Sequence, residues 1–204
     1  MDSDWRDGFP FVGNHLALDF LNTRPVMGGE PVEMLLDGGA LARWMSAAGL
    51  VNGREAARLG RQWKGSQHTA AITKIHELRE SLRRVVLLRE AGEPPPSGFV
   101  KSINRLLLEY PVVEQIVEAD SGLERHKQFV PELPEDVFAP LADAIAVLLT
   151  LTDWTRVRKC RQCVLHFWDT SKKGTRVWCS MNMCGNRSKV AAFADRKRAA
   201  VRRK

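Results

Sequence analysis

From position 37 to 110 the apolar residues step at intervals of three and four, the spacing that keeps one side of a helix buried. Asp37 is placed to cap a helix carrying Leu41, Trp44, Met45 and Ala48, with Gly49 as its stop. Asn52, with Glu55 three residues on, has the outline of a capping box and opens a second helix to about Trp63. A longer one follows Ser66, where Ile72, Ile75, Leu78, Leu82, Val85 and Val86 repeat as far as Arg89 and Gly92 ends the pattern. Pro94, Pro95 and Pro96 make a stiff turn, and Ser97 caps a further helix through Ile103, Leu106 and Leu107. Upstream, FVGNHLALDFLN at 11–22 is ambiguous in period; its length and the pairs Leu16/Phe20 and Leu18/Leu21 favour helix.

Between Pro111 and Pro131 the pattern changes. Val112, Val113, Ile116 and Val117 are β-branched, Asp120-Ser121-Gly122 is turn chemistry, and a loosely alternating stretch follows, which predicts a β-hairpin. Pro134 then opens a helix reaching about Trp154, with Phe138, Leu141, Ile145, Leu148 and Leu149 turned to the core. Pro140 either kinks this helix or marks its true start.

Charge divides the chain. Residues 156–204 hold 15 Lys and Arg against two acids, Asp169 and Asp195, whereas the first 155 residues hold 16 bases against 22 acids. The basic end is the part expected to meet a polyanion. A composition with 44% hydrophobic and 27% charged residues supports a packed core and excludes collagen-like, low-complexity and wholly disordered classes. The longest apolar run, around Leu141 to Leu151, is broken by Asp143 and falls short of the roughly 18 residues of a membrane span. Met1 to Asp7 carry acids where a secretion signal carries bases, so a cytoplasmic protein with no membrane partner is expected.

The four cysteines follow the charge. Cys160, Cys163, Cys179 and Cys184 lie in one short segment with the spacing C-x2-C-x15-C-x4-C, close to that of four-thiolate zinc sites. A set filled by four sulfurs leaves no open position, so the expected metal is one structural Zn²⁺ per chain. Arg158, Lys159, Arg161 and Arg187 flank the ligands and offset the negative charge of a zinc tetrathiolate. β-formers on either side of Ser171-Lys172-Lys173-Gly174 predict a hairpin over 164–178, with Gly174 free to take a positive φ. From Arg187 a helix is expected. It places Val190, Phe193, Ala194 and Val201 on one face against the hairpin, with Lys189, Arg196 and Arg203 on one flank and Arg187, Arg198 and Arg202 on the other. An apolar seam between basic stripes suits nucleic-acid binding; the same run also fits a solvated tail. Knuckle, hairpin and helix in that order resemble a treble-clef zinc finger. The expected fold is therefore mainly α (α+β): a multihelical domain with a β-hairpin at 1–155, then a treble-clef-like zinc finger at 156–204.

The stretch CRQC…FWDTS…RVWCSMNMCGNRSK resembles the CGNR zinc-finger family, named for the residues that stand here as Cys184-Gly185-Asn186-Arg187. HLALDFLNT from His15, followed by LARWM…AGL from Leu41 to Leu50, is similar to the ABATE domain, and the two occur together in a family described as stress-induced transcription regulators. The resemblance implies that Cys160, Cys163, Cys179 and Cys184 bind zinc and that the region from Arg187 onward meets DNA.

The expected function is a DNA-binding transcription regulator. Duplex DNA is the expected partner of Asn186, Arg187, Lys189, Arg196, Lys197, Arg198, Arg202, Arg203 and Lys204. Asn186 and Arg187 either reach base edges or brace the zinc turn. The helical domain is expected to sense a small-molecule effector or to pair subunits as a homodimer, and Trp44, Phe20 and Leu78 either line a pocket or are core. The alternative is a zinc-stabilised module binding protein or RNA, with Phe167, Trp168 and Trp178 either as anchors or packed over the metal. No catalytic motif is present: there is no HExxH, P-loop, GxSxG or dinucleotide fingerprint, so no enzyme activity is expected. His166, between the cysteine pairs, reads as a hairpin surface residue in preference to a nuclease ligand, and Glu77 and Glu80 with Arg79 and Arg83 read as helix-surface pairs.

Overall fold

The computed structural model describes residues 4–119, 122–150, 153–190 and 193–194. At its centre lies a helix too short to stand alone. After a two-residue ribbon, β1 (Trp5–Arg6) with β2 (Phe9–Pro10), the chain enters α1 (Leu16–Leu21), capped by His15, whose Nδ1 accepts from Ala17 N at 3.3 Å. Six residues cannot hold a helix in water. Here Ala17, Leu18, Phe20 and Leu21 are wholly buried, so tertiary packing sustains it.

A second small ribbon, β3 (Val26–Met27) with β4 (Glu30–Pro31), leads to α2 (Gly38–Ala47). Asp37 Oδ1 accepts Ala40 N at 2.7 Å, and Gly49 at φ 75° closes the helix while Leu50 N donates to Met45 O at 2.9 Å. In α3 (Gly53–Gln62) Asn52 Oδ1 accepts Glu55 N at 2.9 Å, but the Glu55 carboxylate turns to Arg58, so the box is half formed. A Cβ on Gly38 would stand 2.5 Å from Trp63 Cβ, which is why the start of α2 admits only glycine against this buried indole.

The long helix α4 (Thr69–Glu90) follows a 3-10 turn at Ser66–His68 and ends at Gly92, as its periodicity predicts. α5 (Ser97–Glu109) departs from expectation at its cap: Pro96 holds that position and Ser97 is already helical. The run of prolines keeps the chain extended up to Pro96, whose carbonyl accepts Phe99 N at 2.9 Å, so no side-chain oxygen is needed there. β5 (Val113–Ala119) and β6 (Gly122–Gln128) form the expected hairpin, in register from Val113↔Gln128 to Ala119↔Gly122, and stand almost wholly in solvent. Pro140 marks the start of a helix: α6 (Phe138–Thr150) begins two residues before it, after a 3-10 turn at Pro134–Val137. Phe138, Leu141, Ile145 and Leu148 enter the core; Leu149 is half-buried.

Arg79 is not a surface residue. Its side chain is 0% exposed and binds Glu33 through both terminal nitrogens, Thr23 Oγ1 at 2.9 Å and Glu80 at 3.1 Å. Arg83 donates to Leu21 O at 2.8 Å from the next turn. The two arginines satisfy the C-terminal end of α1 and pin the following loop to α4, which explains polar residues on an inward face.

Candidate metal centre

The cysteine segment starts from β7 (Val157–Lys159), which pairs with β8 (His166–Trp168) in the register Val157↔Trp168 and Lys159↔His166. The paired strands are those flanking the Cys160–Cys163 knuckle, not those flanking Ser171–Gly174. Leu165 O accepts Cys160 N at 2.8 Å and Cys160 O accepts Val164 N at 3.1 Å, which folds the knuckle at the hairpin's tip. Val164 takes φ 57°, a strained conformation for a β-branched residue that turns the chain back into β8. Ser171–Gly174 remains a turn, with Gly174 at φ 60° as expected, but the segment after it runs without a strand to Cys179.

Cys184 arrives on a wide helical turn, Met181–Gly185, in which Ser180 O accepts both Cys184 N at 3.1 Å and Gly185 N at 3.0 Å. Ser180 Oγ caps this turn through Asn182 N and Met183 N. A Cβ at Gly185 would sit 2.3 Å from Met181 Sδ, the end of an exposed, flexible side chain that can move aside. Residues 186–190 continue as helix.

These elements bring the four sulfurs within 4.8 Å of one another, with Cys163–Cys179 at 3.5 Å and Cys179–Cys184 at 3.7 Å. Sulfurs about 2.3 Å from a central zinc define a tetrahedron with edges of about 3.8 Å. Donor set and spacing therefore fit one structural zinc ion. The protonation balance agrees. Hydrogen bonding from Cys163 pulls the Cys160 thiol far down, the same contact pushes Cys163 up to about 12, and Cys179 is driven upward by its sulfur neighbours. Burial raises Cys184. Four sulfurs this close cannot all ionise unless a cation sits among them.

Three of the segment's arginines, Arg156, Arg158 and Arg176, are committed to internal contacts. Asp169 is wholly buried and accepts Ser171 N at 2.9 Å and Arg176 N at 2.8 Å, with Arg158 Nε at 3.7 Å. Burial pulls its carboxyl upward, but these hydrogen bonds and the guanidinium outweigh it and hold the group below the usual carboxylate range. Arg156 donates to Asp169 O and Ser171 O, Arg158 to Gly174 O, and Arg176 to Trp178 O and Cys179 O while lying over the Phe167 ring. These braces were not anticipated; the signal was the Asp-Thr-Ser turn chemistry beside alternating arginines.

The metal core also draws on the first residues of the chain. Val12 packs with Cys160, Leu165, Phe167, Cys179 and Cys184. Gly13 O accepts Trp168 N at 2.8 Å, Asn14 Nδ2 donates to Trp168 O at 2.9 Å, and Asn22 clamps the His166 backbone with Nδ2→O at 2.8 Å and N→Oδ1 at 3.0 Å. Trp5 Nε1 reaches Met183 Sδ at 3.1 Å and Ser180 Oγ donates to Asp4. His166 is thus corrected from surface to interior: it is 2% exposed, with Nε2 3.0 Å from Glu90 at the end of α4. Beside this seam Asp19 is buried with Oδ1 accepting Gly13 N at 2.7 Å; burial pushes its carboxyl up to about 7 against the pull of that bond and of Arg6.

The expected nucleic-acid residues divide. Asn186, Arg187 and Lys189 are exposed, and the Asn186 side chain makes no hydrogen bond among the described residues. Arg196, Lys197, Arg198, Arg202, Arg203 and Lys204 lie outside the described residues, as does Val201. Val190 and Phe193 are 68% and 63% exposed, so the expected apolar seam against the hairpin is not formed by them, whereas Val12 from the N-terminal segment is part of the metal core. Phe167 is wholly buried over the metal core, and Trp168 and Trp178 are half-buried. Trp44, Phe20 and Leu78 are all core, and Leu78 also borders a groove.

Residues 14–152 match the ABATE family model, described as "Putative stress-induced transcription regulator", and residues 156–197 match the CGNR zinc finger. No curated protein matches the chain. No described helix is long and apolar enough to cross a membrane.

Proposed function

We propose that this chain, which belongs to the ABATE family and ends in a CGNR zinc finger, is a cytoplasmic, non-enzymatic transcription regulator that binds duplex DNA through the zinc-organised basic face. One observation carries the reading. Over residues 156–190 the only acid is the buried Asp169, while Lys159, Arg161, Lys172, Lys173, Arg187 and Lys189 are exposed. A zinc-held segment that exposes several cations and no carboxylate of its own suits phosphate contact. Arg187 and Asn186 also carry the groups that read guanine and adenine edges. Zinc, held by Cys160, Cys163, Cys179 and Cys184, supplies shape, and a closed four-sulfur set supports a structural over a catalytic role. In this reading the helical part senses an effector or pairs subunits in response to stress.

The burial of Phe167 and half-burial of Trp168 and Trp178 weigh against the protein-docking alternative, which needs them as anchors. The test is a titration of the zinc-loaded chain against labelled duplex over a salt series. Six phosphate contacts correspond to a log–log slope of about −5. Arg187→Ala with Lys189→Ala should flatten the slope by about two contacts. A slope near zero, or equal displacement of duplex by an acidic protein extract, overturns phosphate-dominated binding.

A further inference from the structure

We propose that the cavity where α1, α6 and the β5–β6 hairpin meet is the effector site, and that it takes a neutral, mainly apolar small molecule bearing a carbonyl-type acceptor for His15. This deepens the sensing half of the proposed function and rests on it. The cavity holds about 430 Å³, within the size range of small-molecule sites. Leu16, Leu50, Val112, Phe129, Pro140 and Val147 supply an apolar wall. Its two charges, Lys127 and Asp143, pair with each other at 2.6 Å, so the lining has no net charge for an ionic ligand to answer.

Two polar side chains remain, Gln128 on β6 and His15, and only His15 also touches the zinc module. Its Nδ1 accepts Ala17 N, which places the ring proton on Nε2, and burial lowers the imidazole pKa below the ordinary histidine value, so the ring is neutral. A neutral ring in this tautomer offers one donor at the cavity wall. The same ring meets Trp168 edge-on, with centroids 6.0 Å apart, and its neighbours Gly13 and Asn14 are the residues that hold the Trp168 backbone. β8 pairs with β7, which runs straight into Cys160. An occupant bonded to His15 therefore sits against the segment on which the zinc module is docked. The larger groove between α4 and α5, about 710 Å³, lacks these features: Lys74, Glu77, Arg84, Arg105 and Glu109 ring it with both signs of charge, and among the described residues no hydrogen bond or ring contact joins its lining to the zinc module as His15 is joined to Trp168.

The probe is Prodan (6-propionyl-2-dimethylaminonaphthalene), a neutral naphthyl ketone whose emission reports polarity and hydrogen bonding, titrated into the zinc-loaded full chain without DNA. The expected result is a saturable, one-to-one blue shift. Ala139→Trp, which fills the cavity from α6, should weaken binding at least about ten-fold, and His15→Phe, which keeps a ring but removes both the donor and the cap of α1, should weaken it about five-fold and alter the emission maximum in protein of unchanged helical circular dichroism. Ser102→Trp in the α4–α5 groove should change nothing. Tryptophan-sensitised Prodan emission should fall in Trp168→Phe with the directly measured affinity unchanged. Absence of a saturable shift, or equal affinity in Ala139→Trp and His15→Phe variants that retain one zinc per chain, overturns the proposal. Because the readout involves no nucleic acid, failure here is separate from a failure to bind duplex.

Discussion

Replacing Asn22 with alanine tests whether the zinc module and the helical core stand as one folded body. Asn22 is 1% exposed and its carboxamide pairs with both backbone groups of His166, at 2.8 and 3.0 Å. His166 is itself buried, so the strand's N–H and C=O lose their partners with no solvent to replace them. An unpaired buried backbone group costs about 1–3 kcal/mol, and local water entry recovers part of that, which gives about 3 kcal/mol for the pair. For a chain of this size that corresponds to a fall in Tm of about 6–12 °C. Asn22→Asp keeps one acceptor for His166 N but cannot donate to His166 O and brings a buried charge, so it should do no better than alanine. The assay is urea unfolding of the zinc-loaded chain, followed by far-UV circular dichroism and, in parallel, by zinc release to a chromogenic chelator. The unsubstituted chain should lose helix and zinc together; in Asn22→Ala zinc should leave at lower urea. A loss below about 0.5 kcal/mol, or coincident transitions in the variant, refutes the clamp.

Cys179→Ser should abolish stoichiometric zinc, measured by metal analysis of purified protein, and should lower affinity for duplex while leaving most of the helical circular dichroism intact, because Val12 and β8 lose the metal core but the helices keep their own. Asp19 governs a pH dependence. Its folded-state pKa of about 7 lies above the ordinary aspartate value, so its contribution is complete below pH 4 and is lost as pH rises toward 7. Asp19→Asn, which keeps the acceptor for Gly13 N, should remove that slope and raise stability at pH 8 by about 2–4 kcal/mol in denaturant titrations; an unchanged slope refutes the assignment. Arg79→Met leaves Glu33 and Thr23 without their buried partner and should cost about 3–5 kcal/mol by the same measurement, whereas a surface pair would cost under about 1 kcal/mol.

Local chemistry was legible along the chain. Caps such as Asp37 and Asn52, stops such as Gly49 and Gly92, the pairing of β5 with β6 and the four-cysteine spacing each depend on contacts within a few residues, and each stands where the sequence places it. The strand pairing around the knuckle was not, because the positive φ at Val164 rather than the more obvious turn at Ser171–Gly174 decides which strands meet. Arg79 and His166 read as surface groups because residue type and periodicity say nothing of partners 46 or 144 positions away. Likewise the count of bases overstated the free charge: Arg156, Arg158 and Arg176 are spent on carbonyls and on Asp169. Burial of a polar group is favourable only when its hydrogen bonds close, and closure comes from Asn22 for the His166 backbone, from Thr23, Glu33 and Glu80 for Arg79, and from Ser171 and Arg176 for Asp169. A chain announces its ligands and caps through short-range chemistry; which face is left for a partner is settled by packing.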